Sequence, residues 1–214
     1  MGLTVGIGVL AYLLENDQEG ASSLEEGFAA ANLLLEAEGL PIHSEPRTFK
    51  TPVSRASIRS FPYSFIHYLR RAYAHRSANQ SWMAHPIDHN VDPAADPLVD
   101  DELAMLCSHL ICHSDAEGFY LPIDFSDVLF ADPEDSSLPG GMLGSSYRLL
   151  EELEVVAPAL GIRLNDGRLP HDEAERIDEL ACSGEGIYRE LCSWLALYEA
   201  ARLSIELKTA IVFS

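Results

Sequence analysis

The stretch 186–207 sets the strongest constraint on how this chain can fold. Ile187, Leu191, Trp194, Leu195, Tyr198, Ala201, Leu203 and Ile205 recur there at helical spacing and spread over more than one face. A helix apolar over so wide an arc has to be covered from several sides, so it is expected to be the central element. Directly after it, Thr209, Ala210, Ile211, Val212 and Phe213 are apolar or β-branched and read as a terminal strand. Residues 119–125 read as an extended segment and residues 128–130 as a second short one. The terminal strand is expected to pair with the first of these, and Pro122 and Pro133 argue for an edge position.

The other helices follow from the same periodicity. Val9, Leu10, Leu13 and Leu14 give a first helix within residues 5–15, although residues 4–9 also suit the start of a strand. Ser22 or Ser23 caps a second, whose stripe is Leu24, Phe28, Ala31, Leu34 and Leu35, and Gly39 with Pro41 stops it. Ser60 is expected to cap a third, with Phe61, Phe65, Leu69 and Ala72 on its core side. Residues 100–113 read as a core helix carrying Leu103, Leu106, Cys107, Leu110 and Ile111. Residues 139–146 read as a flexible Gly-rich loop leading into a helix over 147–159, and 170–183 as a short acidic helix. Together these give an α+β fold, mainly helical, with about six helices and a minor sheet of two to three short strands. With no composition break, residues 1–214 are expected to form a single domain.

Charge narrows the function classes. The net charge is −20, yet residues 46–87 hold seven basic residues and no acidic one: Arg47, Lys50, Arg55, Arg59, Arg70, Arg71 and Arg76. Seven of the 18 aromatics fall there too, Phe49 among them. A basic, aromatic island in an acidic chain must meet something negative, either the chain's own carboxylates or an outside anion. The acidic remainder disfavours nucleic acid and anionic membranes as partners and favours a basic protein. No run of apolar residues is long enough for a membrane span, and the four cysteines match no disulfide or zinc spacing, so a cytoplasmic protein with reduced thiols is expected.

Three clusters could carry chemistry. Arg59, Tyr63, His67, Arg70 and Arg71 follow one another along one helix face, where guanidinium groups could hold a phosphate or carboxylate. The plain alternative is that these arginines neutralise the chain's own Asp and Glu. His109 and His113 stand at i, i+4, a spacing that can offer two imidazoles to one metal, with His85, Asp88, His89, Asp115 and Glu117 as further donors. No zincin motif accompanies them, and His113 also suits a helix C-terminus. Gly144, Ser145, Ser146 and Arg148 could cradle an anion at a helix start, although a plain capped turn accounts for them as well. No motif calls for a cofactor, and no nucleophile signature is present.

The leading expectation is therefore a non-enzymatic binding protein, immunity- or inhibitor-like, that turns an acidic surface to a basic protein. The alternatives are an enzyme or sensor for a small anion at the Arg59 to Arg71 face, and metal-assisted hydrolysis at His109 and His113. A further possibility is a homo-oligomer in which residues 46–87 dock on the acidic surface of a second copy.

Overall fold

In the computed structural model, residues 2–48, 50, 53–88, 90–132 and 137–214 are described. Phe49, His89 and Pro133 lie outside the described residues. The elements are β1 (Leu3–Ile7), α1 (Val9–Asn16), α2 (Gln18–Ala37), β2 (Ser60–Phe61), α3 (Ser64–Ala78), α4 (Pro97–Met105), α5 (His109–Cys112), β3 (Gly118–Leu121), β4 (Leu129–Phe130), β5 (Met142–Ser145), α6 (Ser146–Val156), α7 (His171–Ser183), α8 (Tyr188–Leu207) and β6 (Ile211–Phe213). The strands form one mixed sheet in the order β2-β1-β6-β3-β5-β4. Among the described residues, only β3 and β5 run parallel.

The expected minor sheet of two to three strands is thus corrected to six strands, and the six helices to eight among the described residues. The α+β character stands, and so does the pairing of the terminal strand, since Phe119 lies opposite Val212 in the antiparallel β3 and β6. That pairing puts β3 inside the sheet, so the expected edge position falls to β4 instead. The strands that periodicity missed are short or interrupted by glycine. β2 has two residues, and β5 reads Met-Leu-Gly-Ser. The helix expected over 5–15 divides at Gly8, which holds a left-handed φ of 67° between β1 and α1.

Alternation along the strands builds a three-layer fold. Leu3, Val5, Tyr120, Ile211 and Phe213 face a core shared with α3, α6, α7 and α8. Phe119, Leu121, Leu143 and Val212 face a second core covered by α1 and α2. As its breadth of apolar surface required, α8 is the central helix. Trp194 is fully buried, stacks on Tyr198 and donates its indole N–H to the Leu153 carbonyl at 2.8 Å.

The residues expected to form a flexible loop are ordered instead as a 3-10 turn, Pro139–Gly141, followed by β5. Close packing explains the strand, because a Cβ built on Gly144 would stand 2.3 Å from the Tyr120 ring. That ring cannot retreat: it stacks on His113 at 4.0 Å and its hydroxyl donates to the His109 carbonyl at 2.9 Å. Gly144→Ala is accordingly expected to destabilise the protein by about 1–3 kcal/mol, the range of overpacked cores. A urea titration reads this directly, and an unchanged midpoint would show that the ring has room to move.

Candidate functional site

Each arginine of the basic segment for which a polar side-chain contact is described meets the protein itself. Arg47 pairs with Glu25 on α2. Arg55 clamps Glu199 in the middle of α8, donating from its backbone N–H at 2.9 Å and its Nε at 3.0 Å, and reaches the Leu169 carbonyl at 2.7 Å. On α3, Arg70 is buried and donates to the Leu110 carbonyl at 2.8 Å and to the His113 carbonyl. Arg71 meets Asp96 at 2.8 Å, a carboxylate that also contacts His75 at 2.8 Å.

The expected ligand face of α3 is therefore lined with the chain's own acceptors. His67 sits 3.0 Å from Asp115, and burial, reinforced by Arg70, holds its pKa below the usual value for histidine. Tyr63 is half-buried at the start of α3 and packs against the core. Arg59 stands apart from these groups. It is exposed and lines a cavity of about 350 Å³ between β1, α1 and α8, with Tyr12, Glu15 and Ala200.

His109 and His113 are both buried and both engaged. Nδ1 of His109 accepts from the Ser145 N–H at 3.0 Å, and its other ring nitrogen lies 3.2 Å from the Ser126 carbonyl. His113 lies between the carbonyls of Ser114 and Phe119, and burial pushes its pKa down to about 4. Among the described residues, no three His, Cys, Asp or Glu side chains come together to hold a metal.

The Gly-rich stretch also turns inward. Ser145 donates to the Ile123 carbonyl at 2.6 Å, and Ser146 shares a 2.7 Å hydrogen bond with Ser204. Arg148 pairs with Asp124 at 2.7 Å and with Glu151 at 2.8 Å.

Rows of acid also remain on the outside. Along α2, Glu19, Glu26 and Glu36 are exposed over about 25 Å of helix. On α7, Asp172, Glu175 and Glu179 follow at i, i+3 and i+7, so they share one exposed face. On the buried side of that helix, Glu173 is held at about 2 by its hydrogen bonds to Arg176 and Arg163. Glu154 on α6 is held above the usual carboxylate range by burial and by neighbouring Glu151.

The helix expected over 100–113 breaks in two, and three of its five expected core residues face solvent. α4 stops at Met105. Leu106 takes a left-handed φ of 54°, and α5 starts only at His109. Leu103, Leu106 and Cys107 are exposed, as is Met105, and beside them Asp100 and Asp101 extend the acidic surface. The break is made from a distance. Glu152 of α6 accepts the N–H groups of His109 at 2.8 Å and Leu110 at 2.6 Å, while the Ser108 hydroxyl caps Ile111 at 3.1 Å.

Sequence reasoning passed over Glu152 and Glu199. The second left a trace, as an acid in the middle of the long apolar stretch of α8. The first left none, because its partners lie 42 and 43 residues away.

No curated protein and no solved structure matches the chain. One family does, over residues 1–213 and under the description "Putative DNA-mimic protein". This corrects the expectation that nucleic acid has no part in the choice of partner, because the family's description names DNA as the molecule mimicked. Matched over almost its whole length, the chain belongs to this family.

Proposed function

We propose that this protein stands in for DNA, laying its carboxylates against the DNA-binding surface of a basic protein and so keeping that protein from DNA. The supporting observation is the division of charge. Arg47, Arg55 and Arg71 are turned onto the chain's own carboxylates and Arg70 onto its carbonyls, while Glu19, Glu26, Glu36, Asp172 and Glu179 are left facing outward. Duplex DNA owes most of its non-specific affinity to a dense line of negative charge, and a protein surface with rows of fixed carboxylates competes for the same lysines and arginines. An inhibitor of this kind needs no catalytic group.

The test is displacement. Immobilised protein is exposed to a cell extract at about 50 mM salt, and bound material is eluted with a double-stranded oligonucleotide. At least one basic DNA-binding protein is expected to be retained and then released by the duplex. Its affinity should fall at least about tenfold as salt rises to about 200 mM. Retention that duplex DNA cannot relieve would defeat the reading.

A further inference from the structure

We infer that the exposed end of α4 is an apolar anchor that seats in a socket beside the basic groove of the DNA-binding partner; this rests on the function proposed above. Carboxylate rows supply attraction without much selectivity, whereas selective interfaces add a few apolar residues that are fully desolvated on binding. Three such residues stand together at the end of α4.

α4, all nine of whose residues are described, buries only Val99. Its apolar end points outward: Leu103 is 43% exposed, Met105 71% and Leu106 54%. Single exposed leucines are ordinary, but three large apolar residues within four positions of one helix end are not. The preceding turn carries exposed Asp100 and Asp101, so the apolar tip is edged with negative charge and complements a basic partner.

Leu106 adds a second sign. It closes α4 with φ 54° and ψ 27°, its N–H donating to the Leu103 carbonyl at 3.1 Å. Glycine occupies this conformation without steric cost, whereas a leucine there is strained. A residue that breaks the local rule without gaining burial marks a position kept for something other than stability.

The experiment uses the DNA-binding protein that duplex DNA displaces in the test above. Leu106→Gly is expected to leave the melting temperature unchanged or raise it by about 2–4 °C, through relief of the strained φ. Affinity for the partner should nevertheless fall at least about tenfold, with the steepness of the salt dependence unchanged. Met105→Ser should weaken binding in the same way. Asp100→Asn with Asp101→Asn should instead flatten the salt dependence. In the unaltered protein, bound partner should slow alkylation of exposed Cys107 and leave exposed Cys182 reactive.

If Leu106→Gly and Met105→Ser bind as tightly as the parent while the parent is still displaced by DNA, the inference is overturned and the proposed function stands. If the two variants abolish self-association and leave partner binding intact, the tip joins copies of the chain and the inference again fails. If duplex DNA displaces nothing, function and anchor fall together.

Discussion

Glu199→Ala is expected to destabilise the protein by about 3–5 kcal/mol, the usual cost of removing one partner from a buried ion pair. In a chain of this size that lowers the melting temperature by roughly 10 °C or more. The Glu199 side chain is 1% exposed, yet it stays ionised. Burial pushes its pKa up, but Arg202 and Arg55 outweigh that and hold it below the ordinary carboxylate value.

Its two oxygens satisfy the Arg55 backbone N–H, the Arg55 guanidinium and Arg202, which donates from its NH2 at 3.0 Å. Deleting the carboxylate leaves Arg55 with only the Leu169 carbonyl and its backbone N–H without an acceptor, while Arg202 keeps Glu206 at 2.9 Å. Glu199→Gln keeps the shape and one acceptor, so it should cost roughly half as much. Urea unfolding of both variants checks this. A loss below about 1 kcal/mol for Glu199→Ala would mean that Arg55 is held mainly by the Leu169 carbonyl.

This pair also shows why the acidic surface could be read from the sequence while the fate of the arginines could not. The charge imbalance of residues 46–87 is visible in the order of residues. That Arg55 meets a carboxylate 144 positions away is a fact of packing. The same division runs through the fold. α8 was legible because twenty residues of consistent helical spacing leave few alternatives, and β6 because Ile211, Val212 and Phe213 are strand formers with an extended apolar segment available to pair with.

β1 was masked. Its Leu3, Val5 and Ile7 alternate correctly, but they run straight into the helical spacing of Val9, Leu10 and Leu13, and only the conformation of Gly8 separates the two. The helix over 100–113 had a sound local pattern and was wrong for a remote reason, since the groups that divide it include a carboxylate on α6. Local period reports which residues are apolar. It does not report which of them the rest of the chain will cover.

That remote carboxylate gives the second large effect. Glu152 is expected to make stability depend on pH through a carboxyl buried against backbone N–H groups and the Ser108 hydroxyl. Burial pushes its pKa up from 4.5 to about 7, although the N–H groups of Leu110 and His109 favour the charged form. Between these two values the folded state holds a proton that the unfolded chain has released. The contribution of Glu152 is therefore fully present below about 4.5 and is lost as pH rises through about 7, a change of about 3 kcal/mol.

His113 works in the opposite sense. Its pKa is held down at about 4, so its contribution is full above about 6.5 and is lost as pH falls towards 4. The two oppose each other in the unaltered protein between pH 4.5 and 6.5. Glu152→Gln removes one side of that balance. Relative to the parent, the variant should gain about 3 kcal/mol on going from pH 4.5 to 8, and its own stability should rise steeply with pH as the His113 contribution is exposed.

Glu152→Ala differs because it leaves two N–H groups at the start of α5 without an acceptor. It should cost about 2–4 kcal/mol even at pH 4.5, and by loosening the chain break after Leu106 it should also weaken partner binding. Urea titrations of the three proteins at pH 4.5, 6 and 8 separate these effects. A gap between Glu152→Gln and the parent that does not change with pH would show that the carboxyl titrates normally and that the break is held by Ser108 alone.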